Sequence, residues 1–260
     1  MSDKNRRPEQ NSINFKEGCK LMNGALLKYP EGCRIGRFLK REKRFFVSVE
    51  LDGQEVLAHT NNTGTMLGLL RPGAPVLLSP AANPERKLKW TVEALGQGRG
   101  QGFFWVGVNT SVPNRLLTAL FEHGLLPWAE GYTALKREAV NGESRLDGLL
   151  TGPGLPGLWV ECKNVTLVED GAAAFPDAVT TRGAKHLQTL MRLKGEGARA
   201  AMLYIVQSPD GGCFRAADYI DPAYAEALAQ AASAGVEIHR VVVDVREDGI
   251  RYARELRFVP

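Results

Sequence analysis

Residues 144–163 read SRLDGLLTGPGLPGLWVECK, two short apolar runs around a break made of glycine and proline. Ser144–Thr151 and Leu158–Asn164 have the length and composition of strands, and Gly152-Pro-Gly-Leu-Pro156 is turn chemistry. Side chains alternate faces along a strand. Glu161 and Lys163 therefore point one way, and Val160 and Cys162 point the other, into apolar packing. If the break turns a hairpin with Thr151 opposite Gly157, Asp147 stands across from Glu161 on the same face. A slip of one residue would separate them. Two carboxylates and one ammonium then converge on one side of a two-stranded ribbon.

Like charges this close need a reason, and a divalent cation is one. Magnesium prefers one or two carboxylates and keeps several waters; such an ion polarises a phosphoryl oxygen and acidifies its bound water. Lys163 would stabilise developing negative charge or orient the attacking water. The pattern is short, however, and an exposed cross-strand ion pair satisfies it as well.

Downstream of this ribbon, helices alternate with strands. Thr181–Lys194 is amphipathic through Leu187, Leu190 and Met191, and Ala200–Gln207 reads as a strand buried on both faces. Asp221-Pro222 opens a helix that runs to Gly235, and Val236–Val245 is again a strand. Just upstream, Asn114 is expected to cap a helix striped by Leu116, Leu117, Leu120 and Phe121, ending at Gly124. Before Asn109 the texture is different. Asp52-Gly53 between 44–51 and 54–60 is a strong hairpin signal. Further short strands are expected at 25–29, 75–79, 88–95 and 103–109. That count predicts a small β-barrel, of which the OB-fold is one form. The expected organisation is a flexible tail over residues 1–20, an OB-like domain over 21–104 and an α/β domain over 105–260.

Composition agrees with a folded protein. Of 260 residues, 44% are hydrophobic and 24% charged, which excludes wholesale disorder. No apolar run approaches the roughly 20 residues of a membrane helix, and the polar Met1–Gln10 is not expected to act as a secretory signal. Cys19, Cys33, Cys162 and Cys213 form no CxxC pair, and the four histidines are scattered. Free thiols in a reducing cytoplasm are expected, and no zinc site. The net charge of +4 hides an asymmetry: residues 1–115 carry 18 Lys+Arg against 10 Asp+Glu, and residues 116–260 carry 15 against 19. A basic half suits a polyanion partner; a solvated basic surface without one fits equally.

Asp147…Glu161-x-Lys163 on consecutive strands, followed by a helix with Arg182, Lys185 and His186, resembles the PD-(D/E)xK nuclease superfamily. More closely, the chain resembles the sugar fermentation stimulation protein A (SfsA) family. The matching residues are His59-Thr-Asn-Asn-Thr-Gly-Thr-Met66, Leu67-Gly-Leu-Leu70, Asn83-Pro84, Val106-Gly-Val-Asn-Thr-Ser111 with Pro113-Asn114-Arg115, Glu161–Asp170, and Phe175-Pro-Asp-Ala-Val-Thr-Thr-Arg182 with Lys185-His186. They span most of residues 21–245. The resemblance implies an N-terminal OB-like barrel, a C-terminal nuclease-like α/β domain, DNA binding and a link to sugar use. It would make Asp147 and Glu161 ligands of Mg²⁺ or Mn²⁺ and Lys163 the catalytic lysine, with Glu138 a weaker candidate for a further acidic residue. Leu146-Asp147 stands where the superfamily name has Pro-Asp, and proline supplies no ligand.

Nucleic-acid contacts are expected from Arg34, Arg37, Arg41, Lys43 and Arg44, which enter the Phe45-Phe46 strand together with Lys40. Cations beside aromatics suit phosphate contact and base stacking; a solvated strand edge is the alternative. One of Phe45 and Phe46 must face the barrel core. Asn62, within Asn61-Asn62-Thr63-Gly64, is either turn chemistry or part of a phosphate cradle. Arg182, Lys185, His186 and Thr189 share one helix face, next to a helix N-terminus suited to a phosphate. Asp177 would cap that helix or contact the metal. Two readings follow: a DNA-binding protein with a metal-dependent phosphodiesterase site, or a non-catalytic DNA-binding regulator of sugar-utilisation genes on a nuclease-like fold. RNA is an alternative ligand for an OB-like surface.

Overall fold

Asp52 and Gly53 take φ of 53° and 78°, the left-handed pair that a two-residue hairpin turn demands. They join β3 (Phe46–Leu51) to β4 (Gln54–His59). The structure, a computed structural model, describes residues 24–99, 102–142 and 144–258. The tail expected over residues 1–20, with Cys19, lies outside the described residues. With β2 (Arg34–Glu42), β5 (Pro75–Pro80), β6 (Trp90–Arg99) and β7 (Gly102–Gly107), these strands form a sheet in the order β4-β3-β2-β5-β6-β7. Pairing of Ala58 with Trp90 and His59 with Thr91 closes the first five strands into a barrel. Its core holds Phe38, Val47, Val49, Val76, Leu78 and Val92.

Two expectations about this half are corrected. The basic run 34–42 is neither an approach to a strand nor an edge. It is the interior strand β2, flanked by β3 and β5, because Phe38 turns into the barrel at 2% exposure while its charged neighbours face out. The stretch 25–29 does not join the barrel. Leu27 and Lys28 form β1, which pairs with β16 (Gly249–Glu255) of the second domain, and Leu26, Leu27 and Tyr29 pack on that domain's core. At the other end β7 runs through to Gly107, past the boundary expected at 104.

The second sheet has the order β1-β16-β15-β13-β10-β9-β8. Here β8 is Ala134–Asn141, β9 Ser144–Thr151, β10 Leu158–Val165, β13 Arg199–Val206 and β15 Glu237–Arg246. β10, β13 and β15 run parallel, and β8 and β9 are an antiparallel meander beside them. β13 is buried on both faces, as expected of a central parallel strand: Ala201, Leu203 and Ile205 enter one core cluster and Met202, Tyr204 and Val206 the other. β11 (Leu167–Glu169), β12 (Ala172–Phe175), β14 (Cys213–Ala216) and β17 (Arg257–Phe258) form a small separate sheet.

Helix α1 (Val112–Glu122) covers one face of the large sheet through Leu116, Leu117 and Leu120. It starts earlier than expected. Ser111 is the N-cap and Pro113 sits in the first turn, a position proline tolerates because no partner is lost there. Asn114 is thereby released from capping. α2 (Thr181–Gly195) and α3 (Pro222–Ser233) cover the other face. Thr180 caps α2 by accepting the Gly183 N–H, and Asp221 caps α3 by accepting the Tyr224 N–H. Leu187, Leu190 and Leu193 of α2 are buried, each contributing about 1.5–3 kcal/mol. The barrel shares the first core cluster: Leu77, Ala94 and Trp105 pack with α1 and the sheet. Among the described residues no helix is long and apolar enough to cross a membrane.

Candidate active site

The β9–β10 ladder pairs Leu150 with Leu158, Leu149 with Trp159 and Gly148 with Val160. This is the register expected from the sequence. It then stops, one residue short of Asp147 and Glu161. Where the strands part, the Asp147 carboxylate takes over the bonding: its Oδ2 accepts the Cys162 N–H at 2.7 Å. Its Oδ1 accepts Asn114 Nδ2 from α1, also at 2.7 Å. The acidic pair is therefore not a facing cross-strand pair, as expected, but a carboxylate set into the opening between two diverging strands.

Glu161 is 3% exposed. One oxygen, Oε1, accepts Lys163 Nζ at 2.6 Å and is hydrogen-bonded by His186 Nδ1 of α2. Lys163 Nζ and His186 Nδ1 are 3.2 Å apart. Arg182 Nε donates to His186 Nε2 across a long 3.4 Å, which assigns the ring proton to Nδ1, facing Glu161. The other oxygen, Glu161 Oε2, is buried without a partner. A buried carboxylate oxygen left unpaired is costly, and a cation is one partner that would satisfy it. Among the described residues no three His, Cys, Asp or Glu side chains are arranged around a metal position. Two carboxylates, Asp147 and Glu161, suit a hard divalent cation that keeps water in its remaining positions.

The electrostatics split the two acids. Burial and the neighbouring Glu161 push the Asp147 carboxyl up to about 6, against the lowering effect of the Cys162 N–H, Lys163 and Asn114. Burial also raises Glu161, but the His186 hydrogen bond and the Lys163 charge outweigh it and hold that carboxyl below its ordinary value. Behind the site, Val160 and Cys162 pack into the core, as expected.

The remaining candidates separate into groups. Arg182 and His186 reach the site; Lys185 is exposed on the same helix, and Thr189 instead bonds Ser144. Glu138, at φ 48°, is exposed and pairs with Arg145 at 3.4 Å. Arg34 pairs with Asp52 and Arg37 with Glu50. Arg41 turns its guanidinium inward, donating to the carbonyls of Arg44, Asn62 and Gly64, so those donors are not available to a phosphate. Asn62 is buried, and its Oδ1 accepts the Gly64 N–H within the turn. Lys43 and Arg44 project from the β2–β3 turn.

Asp177 neither caps α2 nor reaches the acids. Its Oδ2 accepts the Met66 N–H at 3.0 Å and its carbonyl accepts the Thr65 hydroxyl. Gly64 lies so close that a Cβ there would come within 2.7 Å of both Asp177 carboxylate oxygens. Asn61, at the other end of this barrel loop, bonds Asn109 and Thr110, just ahead of α1. Residues 61–66 thus grip the approaches to both helices that send a side chain to the acids. Asn114 was missed as a site residue; Pro113, in the first turn of the helix, was the signal that the cap lay upstream.

Over residues 39–108 the sequence matches the SfsA N-terminal OB domain, and over residues 111–249 the sugar fermentation stimulation protein RE domain. A sugar fermentation stimulation protein homolog from Maridesulfovibrio salexigens is 54% identical over 237 residues, covering 90% of this chain and 98% of that one. A homolog from Lawsonia intracellularis is 49% identical over 252 residues, covering 88% and 96%. The structure of Pyrococcus furiosus SfsA in complex with Ca²⁺ superposes with a TM-score of 0.82 at 28% identity, covering 91% of this chain and all of that one (100%).

Proposed function

The chain belongs to the sugar fermentation stimulation protein family, and from that premise we propose that it binds nucleic acid and hydrolyses a phosphodiester at Asp147, Glu161 and Lys163. The observation that carries this reading is the unpartnered buried Oε2 of Glu161 beside Asp147. A divalent ion, Mg²⁺ or Mn²⁺, would be held by these two carboxylates and would supply Lewis-acid polarisation of the phosphoryl oxygen and an acidified water. The Ca²⁺ of the Pyrococcus furiosus relative supports a divalent site.

The chain's own residues do the rest. Asn114 and the Cys162 N–H fix both oxygens of Asp147, so the carboxylate is oriented before any ligand arrives. Lys163 sets its charge against Glu161 Oε1 and His186 donates to the same oxygen, which leaves Oε2 without a partner in the chain. Lys163 places an ammonium where negative charge develops on the phosphate. Arg182, at the N-terminus of α2, is suited to a phosphate next to the scissile one. The partner we infer is DNA, with RNA the second candidate. The regulator reading keeps binding and drops hydrolysis; the intact Asp147, Glu161 and Lys163 favour hydrolysis.

Labelled single- and double-stranded DNA and RNA, incubated with EDTA, Mg²⁺ or Mn²⁺, test this. Metal-dependent cleavage that Lys163→Ala abolishes is expected. Binding without cleavage under every metal condition overturns the hydrolytic reading.

A further inference from the structure

Phe45 is 45% exposed although it lies in the barrel half of the protein, next to the core strand β3. Its ring lies nearly parallel to His59, 5° between planes and 6.5 Å between centroids. That spacing is at the wide end for packed rings, and at 45% exposure Phe45 leaves much of its ring in solvent. Two cations precede it. Lys43 and Arg44 take φ of 47° and 62°, a conformation for which turns select glycine or asparagine. The chain spends strained backbone on two basic side chains at this tip, with no partner for either among the described residues.

The tip is held rigidly. Arg41 donates to the Arg44 carbonyl, and the Thr60 N–H donates to the Phe45 carbonyl at 2.9 Å. Arg41 also donates to Gly64, whose neighbours Thr65 and Met66 bond Asp177 in the approach to α2. Hydrogen bonds and short stretches of chain thus link the aromatic tip to Asp177, which lies ahead of the helix that carries Arg182 and His186. An open aromatic face with adjacent free cations is the chemistry of single-strand binding: the ring stacks on a base and the cations meet its phosphates. A paired base inside a duplex shows no free face to such a ring.

We infer that Phe45, backed by His59 and flanked by Lys43 and Arg44, is a stacking site for an unpaired nucleotide, so that this protein takes single-stranded or locally opened nucleic acid. This rests on the nucleic-acid reading above and names its substrate class. Binding is to be measured by fluorescence anisotropy on full-length protein carrying Asp147→Asn, so that no probe is consumed. The probes are labelled ten-residue oligothymidine, oligouridine of the same length and a fully paired hairpin. Phe45→Ala is expected to weaken single-strand binding about ten-fold and leave the hairpin unchanged, while Phe45→Trp keeps wild-type affinity and shows that the fold tolerates the position. Loss on oligothymidine alone marks DNA as the ligand, loss on oligouridine alone marks RNA, and either supports the site. No loss on either strand, or an equal loss on the hairpin, overturns it. Cleavage by wild-type protein with no effect of Phe45→Ala refutes this site and spares the hydrolytic reading; stacking without cleavage does the reverse.

Discussion

Replacing Asp147 by asparagine should make the metal-free protein more stable at pH 8, even as it removes the proposed activity. The carboxyl is raised from 3.8 to about 6, chiefly by burial and by Glu161. A carboxyl whose folded value lies above its unfolded one opposes folding when it ionises. The penalty is absent below 3.8, grows as pH rises to about 6 and is then constant. Two units correspond to about 3 kcal/mol. Asparagine keeps the shape: its oxygen accepts the Cys162 N–H, and its amide donates to Asn114 once that side chain flips. The raised value already includes the lowering by the Cys162 N–H and Asn114 bonds, so the expected gain is up to about 3 kcal/mol at pH 8, shrinking towards nothing near pH 4. Urea denaturation in EDTA at pH 4, 6 and 8 reads it directly. Added Mg²⁺ should stabilise the wild type and not the variant. A variant less stable than wild type at pH 8 without metal would show that Asp147 is not held against its charge, and the argument would fail.

Asn114→Ala removes a bond to the charged form of Asp147, so the acid limb of the pH–rate profile should move to higher pH while the alkaline plateau changes little. Glu237 has the opposite sign to Asp147: burial raises it, but His239 and Arg199 outweigh that and hold it at about 2. Its stabilisation is present above its ordinary value of 4.5 and lost as pH falls through 2, so Glu237→Gln should cost about 2 kcal/mol at pH 7, by urea titration, and almost nothing at pH 2. Arg41→Ala strips donors from three carbonyls and should cost about 2–4 kcal/mol. Arg34→Ala breaks only an exposed pair with Asp52 and should cost less than about 1 kcal/mol; equal losses in thermal or chemical melts would refute the distinction.

Where a local signal was strong, it was legible. Asp52-Gly53, the Asp221-Pro222 cap and the alternation of Val160, Glu161, Cys162 and Lys163 each carry their own geometry, and each appears in the fold. Long-range placement was not legible. Arg34–Glu42 looked like a charge run because a barrel strand with one solvated face needs only Phe38 inside. Leu27 and Lys28 belong to the second sheet because their partners Ile250 and Gly249 lie more than two hundred residues away. The acids and the lysine were found, but not the parting of the strands after Gly148, since register arithmetic assumes that a ladder continues. Counting basic residues said nothing of how many were already spent: Arg41, the most deeply engaged, stabilises a turn.

β1 precedes the barrel in the chain, yet it is sewn to β16 at the far end of the second domain's sheet; the chain leaves the barrel through Val108–Thr110, directly into α1. In topological terms the barrel is an insertion, anchored at both ends to the domain it interrupts. A module hung from one linker can swing through a wide cone; one held at two points, and stapled again by residues 61–66, can only rock. A nucleic acid bound as proposed would therefore have to fit the distance between barrel and acids as it stands. Limited proteolysis should find no easy cut at the junction that the sequence marks as a boundary, and the two halves should melt together.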